Sequence, residues 1–428
     1  MRENFIKIIL SITLLGILTG CYGKSKTAVV PLDSLTLFLK KNYEMEIDTI
    51  LIKDGNYNNL RIQIQNVSRK SLVITPENKG NVLISGNSGF LIEQSKNIRL
   101  EGFVYKNTVG NIFRINSSTG IGVGNSYFLS CGNNPLASLI RIAEGASNNE
   151  IYNNIFDDNR AGGVSIVNND KYISDGLCRN NVIRNNVFRK VKGVKELYPN
   201  SNGNGMEAIQ VGQMTSVKAI SQNLGTIIER NRFEQFIGDQ VEIISVKSSS
   251  NKISDNDFVD CMGGLSIRAG NNNLIMDNEF LRVGRAIRLY GSGHRVENNK
   301  LYDVKVGIMI PSADFQTGEK LRVKDGYYMA RDCVIEGNLI VNATDKAILT
   351  GNADKRNLPE ALIFKNNKVL VDNETDTMEK LVSILTKDKN VSSFNVSNFV
   401  GKSTKEDRIS IKPSSLKRNE TGPNWIIK

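Results

Sequence analysis

Lys247 and Arg268 stand 21 residues apart in a chain of 428. A lysine side chain is ordinarily protonated, with a pKa of about 10.4, and is then no base. A neighbouring guanidinium disfavours its charged form, so a lysine held beside an arginine can accept a proton near neutral pH. Carboxylates surround the pair in sequence. One segment runs from Asn204 to Gly212 and holds Glu207; another runs from Asp239 to Lys247 and holds Gln240 and Glu242. Two facing carboxylates are also the equipment of a glycosidase, for which Glu242 with Glu207 or Asp239 would serve. The lysine–arginine pair is better suited to elimination than to hydrolysis.

A repeat places these residues. The pattern apolar-x-x-Asn-x-apolar ends in Asn154-Ile-Phe156, Asn186-Val-Phe188, Asn231-Arg-Phe233, Asn256-Asp-Phe258, Asn278-Glu-Phe280 and Asn299-Lys-Leu301, with later copies at Asn338 and Asn367. Asn256 and Asn278 are 22 residues apart, and Asn278 and Asn299 are 21. That period suits one coil of a solenoid. The expected fold is all-β: a single-domain, right-handed parallel β-helix of the pectin-lyase type with short helical caps. Asn tolerates the left-handed conformation that sharp corners need, and stacked Asn amides can bond along the axis. Parallel strands lie about 4.8 Å apart, so a one-coil separation brings Lys247 and Arg268 side by side on one face. Longer intervals mark insertions at 190–223 and 311–328. The second carries Lys320, Arg322, Lys324, Tyr327 and Tyr328, and such insertions often build a binding site. Residues 31–40 read as a short capping helix after Asp33 and Ser34. Residues 377–386 read as another, with Leu381, Ile384 and Leu385 on its apolar side.

The segment Glu242-Ile-Ile-Ser-Val-Lys247-Ser248, followed by Ile267-Arg268-Ala-Gly270, resembles polysaccharide lyase family six, which includes alginate lyases and the B-type chondroitin lyase. Asn204-Gly-Met-Glu207, Gly291-Ser-Gly-His294 and Lys53-Asp-Gly-Asn-Tyr57 resemble further segments of that family, so the likeness runs from about Asp48 to Asn367. The resemblance implies β-elimination on an acidic polysaccharide, with Lys247 as the base and Arg268 assisting the leaving oxygen. It implies a calcium ion held by Asn204, Gln240 and Glu242, whose oxygens suit a hard cation. Arg288 and His294 match positions that contact substrate; Glu207 and Tyr327 are further candidates for that role. Two positions depart from the family. Gln240 stands where a Glu is usual, which lowers the ligand charge and with it the expected calcium affinity. Ala269 stands where a His commonly follows the arginine. Asp239, adjacent to Gln240, should face the other way on a regular strand, unless a local bulge brings it round. Alginate is the first expected substrate, dermatan or chondroitin sulfate the second, and a non-catalytic polysaccharide-binding protein the alternative of a different class.

The rest of the chain bears on location and partners. The formal charge of +11 favours anionic partners. Arg2 and Lys7 precede an apolar run from Ile8 to Leu18, the pattern of an export signal and too short for a spanning helix of about 20 residues. Leu18-Thr-Gly-Cys21 resembles a bacterial lipobox, which implies lipidation of Cys21. The expected division is a signal peptide at 1–20, an anchor linker at 21–30, the β-helix at 31–375, and a C-terminal cap and tail at 376–428. Export to the cell envelope argues against a nucleic-acid partner. The membrane should be met through the lipid alone, and a monomer is expected. Cys131, Cys178, Cys261 and Cys333 show no metal spacing and read as small buried core residues rather than disulfide partners. Replacing Cys21 by Ala should move the protein from the membrane fraction to the soluble fraction of fractionated cells; a protein still bound to membrane would overturn the lipid anchor.

Overall fold

Each repeat folds as one coil of three short strands. Lys252–Ser254, Asp257–Cys261 and Gly264–Ala269 form one coil; Leu274–Met276, Glu279–Val283 and Arg285–Leu289 form the next. The computed structural model describes residues 26–42, 46–168, 176–214, 217–316, 326–352, 357–371, 381–384, 386, 400–402 and 422–426. Among the described residues, corresponding strands stack in parallel into three sheets, as the repeat requires. Sheet A has 13 strands, from Thr27–Val30 to Ile363–Lys365. Sheet B has 13, from Gly55–Asn58 to Val400–Lys402, and sheet C has 12, from Arg61–Gln65 to Val382–Ile384. The fold is an all-β parallel solenoid.

The asparagines line its interior. The Asn231 N–H donates to Asn256 Oδ1 at 3.0 Å, that of Asn256 to Asn278 at 3.1 Å, and that of Asn278 to Asn299 at 3.0 Å. Their side-chain amides bridge the same gaps, and Asn256 Nδ2 also donates to the carbonyls of Ile228 and Ser254. All four are fully buried. Such bonds contribute about 1 kcal/mol each net, but a buried partner left unpaired costs roughly 1–3 kcal/mol, so the ladder penalises any slip of register. The corner itself falls one residue earlier than expected. Asn153, Asn185, Arg230, Asp255, Asp277 and Asn298 carry the positive φ, between 51° and 57°. The ladder asparagine is thereby free to point inward. Two residues later the aromatic rings stack, with Phe233–Phe258 centroids 4.7 Å apart and Phe258–Phe280 4.5 Å apart.

The ends depart from expectation in two places. Residues 27–30 are not linker but the first strand of sheet A, paired with Thr49–Ile52. The helix Leu35–Lys41 does cap the first coil, burying Leu35 and Leu39. At the other end Leu381 is helical and residues 377–380 lie outside the described residues, while Val382–Ile384 is a strand added to sheet C beside Lys346–Thr350 instead of helix. An unpaired sheet edge offers more hydrogen bonds than a short amphipathic turn, and the strand takes them. Leu381 is buried, as its apolar character requires. Trp425 folds back over the coils, its indole N–H donating to the Asn125 carbonyl at 3.1 Å. Cys131, Cys178, Cys261 and Cys333 are free and buried. Cys21, Lys320, Arg322, Lys324 and Leu385 lie outside the described residues.

His294 belongs to this interior and not to the substrate. It is fully buried at the end of a second ladder. Thr226 N–H donates to Asn251 Oδ1, Asn251 N–H to Asn273 Oδ1, and Asn273 N–H to His294 Nδ1 at 3.2 Å. The ring thus occupies an asparagine's place, and its other nitrogen meets the Tyr290 carbonyl at 2.9 Å. Burial lowers its pKa to about 4. In the unfolded chain a histidine titrates near 6.5. Between those values the unfolded chain binds more protons, so this histidine's contribution to stability falls as pH drops from about 6.5 to 4, by on the order of 3 kcal/mol. The variant His294→Asn should therefore lose less stability than wild type between pH 7 and pH 4 in denaturant unfolding. An unchanged pH slope would remove His294 as its source.

Candidate active site

Three consecutive coils of sheet C and the turn before them assemble the reactive groups. Glu242 begins the strand Glu242–Lys247, and only 3% of it is exposed. Its Oε2 accepts from Ser245 Oγ at 2.6 Å, and its Oε1 accepts from Arg288 Nη2. Arg268 Nε lies 3.4 Å from the same oxygen. The second nitrogen contact of Arg288 is Ser266 Oγ, at 2.6 Å. A buried carboxylate needs such compensation, and Glu242 has it from two guanidiniums one and two coils further on.

Two more carboxylates approach it. Ligand oxygens of Glu207, Asp239 and Glu242 all lie within 4.8 Å of one another. Glu207 is steered there by a left-handed pair. Gly205 has φ +104° and Met206 has φ 62°, and a Cβ at Gly205 would stand 2.1 Å from the Pro135 carbonyl oxygen. Asp239 closes the turn into the strand, with Oδ1 accepting the N–H groups of Val241 at 2.9 Å and Glu242 at 2.7 Å. Burial, with added repulsion from Glu242 and Glu207, raises its pKa to about 6 against the pull of those two bonds. Gln240 is the left-handed, exposed residue of that turn, its N–H bonded to the Ile237 carbonyl. Strand alternation does not apply inside a turn, so Asp239 reaches the cluster. Asn204 is likewise exposed, three residues before Glu207, with its N–H on Asn202 Oδ1. The acidic set is Glu207, Asp239 and Glu242, while Asn204 and Gln240 are exposed.

Lys247 ends the strand that Glu242 begins. It is 8% exposed, and its amine makes no hydrogen bond or ion pair with a described residue. Burial lowers its pKa and Arg268 adds to the shift, while Glu207, Glu242 and Asp239 oppose it. The pairing with the next coil is not the regular one expected. Val246 pairs with Ile267 but Lys247 pairs with Ala269, so Arg268 is the extra residue of a bulge. Bulges re-aim side chains. This one turns Arg268 toward Glu242 and Tyr327 instead of setting it directly beside Lys247. Ala269 is buried against Ile220 and Tyr328.

The insertion supplies the far wall. Tyr327 stacks on Tyr290 with centroids 4.2 Å apart, and its hydroxyl accepts from Arg268 Nη2 at 2.8 Å. Its backbone N–H bonds Asp314 Oδ2 at 3.1 Å. Gly326, at φ +148°, makes room, since a Cβ there would stand 2.2 Å from that oxygen. Arg268 and Arg288 lie 5.3 and 5.9 Å from the Tyr327 ring centroid, in cation–π range. Lys247, Arg268, Arg288, Glu207, Glu242 and Tyr327 are thus brought together, and His294 is not. Tyr290 was not assigned a role from the sequence, and Asp239 was named only as a carboxylate that could face Glu242. Tyr290 is 22 residues beyond Arg268, so coil spacing alone could have found it; Asp239 required the turn.

Comparisons with known proteins agree with this architecture. A lyase of polysaccharide family six from human gut microbiota, described as mannuronic acid specific, superposes with a TM-score of 0.74 at 20% identity, covering 94% of this chain and 96% of its own. A family-six lyase from Pseudopedobacter saltans gives 0.73 at 20% identity, with coverages of 94% and 100%. A family-six alginate lyase in complex with a trisaccharide gives 0.63 at 21%, covering 83% and 81%. No curated protein matches the sequence. The chondroitinase B family model matches residues 41–408, and the chain therefore belongs to the chondroitinase B family of polysaccharide lyases.

Proposed function

We propose that the protein cleaves an acidic, uronate-containing polysaccharide, alginate before dermatan or chondroitin sulfate, by β-elimination at the Lys247 site. The observation that carries this reading is the buried Lys247 amine, which has no ion-pair partner among the described residues. A lysine kept charged for structure would be paired. An unpaired one, with its pKa lowered by burial, is suited to take a proton. Alginate is placed first because structural neighbours are described as alginate lyases and one as mannuronic acid specific.

The chain's own groups divide the reaction. The neutral Lys247 amine takes the proton from C5 of the uronate. The electrons form the C4=C5 double bond and the C4–O4 bond breaks. Arg268 and Arg288 stabilise the negative charge that develops on the carboxylate and the leaving oxygen. Neither can supply the proton that the oxygen needs, because a guanidinium does not deprotonate in a protein. Tyr327 can. Its oxygen accepts from Arg268, its own O–H has no acceptor among the described residues, and the adjacent guanidiniums stabilise the phenolate left behind. Solvent then returns a proton from the lysine ammonium to the tyrosine. The oxygens of Glu207, Asp239 and Glu242 suit a calcium ion, and relief of their repulsion at Asp239 favours one. Bound there, calcium would neutralise the uronate carboxylate and make C5–H more acidic.

Four polymers test the reading: alginate, dermatan sulfate, chondroitin sulfate and polygalacturonate, each with calcium or chelator, followed by the ultraviolet absorbance of the unsaturated uronate. A folded protein that binds one of them and forms no such product would overturn it in favour of a binding protein. Lys247→Ala should lower kcat by about 10²–10⁴ with folding intact. In wild type, activity should rise with pH through the lowered pKa of Lys247, since only the neutral amine is a base. Tyr327→Phe keeps the ring stack and loses the O–H. It should cost about 10²-fold in kcat. A uronide with an aryloxy group at C4, which departs without protonation, should be cleaved at near wild-type rate by this variant. Equal slowing on both substrates would make Tyr327 structural.

A further inference from the structure

A second cationic feature lies on the same face, far from the acidic cluster. One outward row of sheet C runs in unbroken register through Gln63, Leu91, Arg114, Arg141, Ser165, Gln210, Ser245, Ser266 and Arg288. Its far end opens into a pocket of about 430 Å³. Four strand steps separate Arg114 from Ser245, or about 19 Å at the usual spacing of parallel strands.

The pocket is built and not merely basic. Arg61 lies across it, its guanidinium held by Asn87 Oδ1 and, at 3.4 Å, by the Asn111 carbonyl. Gly89 makes this possible, because a Cβ there would stand 2.8 Å from Arg61 Nη1. Arg114, two coils on, is exposed and makes no hydrogen bond or ion pair with a described residue. Leu91, half-buried between the two coils, provides an apolar floor. No carboxylate lines the pocket. Two guanidiniums over an apolar floor match a pyranose ring bearing a carboxylate: bidentate partners for the anion and a flat surface for the ring's C–H face. One pyranose residue spans about the rise of one coil, so a chain laid along the row meets a fresh strand with each sugar.

We propose that this pocket is a distal subsite for the same acidic polysaccharide, holding a uronate several residues from the bond that is cleaved. It rests on the β-elimination reading for the identity of the polymer. The site makes affinity depend on chain length, because only chains that span the row reach Arg61 and Arg114.

The test compares a defined tetrasaccharide with chains of about ten or more residues, using the full chain and the polymer that wild type cleaves. Arg114→Glu, and separately Arg61→Ala with Arg114→Ala, should raise KM for the long chains about tenfold, the loss of a charge-assisted contact. Both should leave kcat, and both constants for the tetrasaccharide, as in wild type. Equal losses on long and short substrates, or no loss on long ones, would overturn the subsite. Titration calorimetry with the same four polymers needs no turnover and separates this proposal from the last. Polymer binding weakened by Arg114→Glu without any cleavage would sink the elimination and keep the subsite. Cleavage with length-independent binding would do the reverse, and no binding of any polymer would overturn both.

Discussion

The buried asparagine ladder is the constraint on which the rest of the molecule depends. Each ladder residue receives a backbone N–H from the coil before it and donates its own to the coil after it, in a fully buried interior. A one-residue slip would leave those groups unpaired and turn every core aromatic outward. Register is therefore held coil by coil. A polysaccharide site can then be assembled from strands 21 or 22 residues apart, completed by the loops and turn that carry Glu207, Asp239 and Tyr327.

That rigidity allows a costly arrangement of charge. Lys247, Arg268 and Arg288 face Glu207, Asp239 and Glu242 on one side of sheet C. Glu242 is the hinge of the balance. It neutralises two guanidiniums that would otherwise repel a nearby ammonium, and it is the carboxylate deepest in the cluster. Among the described residues, neither the Lys247 amine nor the Glu207 carboxylate has a hydrogen-bond or ion-pair partner. A buried amine that the network leaves unpaired is how a fold keeps a base available. The Tyr290–Tyr327 stack closes the arrangement by tying an insertion to the strand face.

The same logic separates ladder from site in the sequence segment Gly291–His294. Read as a motif, its histidine suggests contact with substrate. Read as a place in the coil, it is the interior position that Asn251 and Asn273 hold in earlier turns. Its ring performs the ladder's function with Nδ1 in place of an amide oxygen. Position in the repeat was the better guide than residue type, because a coil offers only inward and outward places.

The sequence by itself determined the solenoid, its coil length, its inward aromatics and the strand that carries Lys247. These follow from periodicity, which local chemistry writes into the chain. It also placed Glu207, Glu242, Arg268, Arg288 and Tyr327 near one another, because multiples of a coil and a long insertion are countable. Only the tertiary structure decided what breaks the period. The turn at Asp239 brought that carboxylate into the acidic cluster, and the bulge at Arg268 moved it off the position beside Lys247. The strand at Val382–Ile384 arose because an open sheet edge was there to pair with. In each case the outcome depended on which backbone groups a neighbouring coil left unpaired, and that is settled between residues distant in the chain.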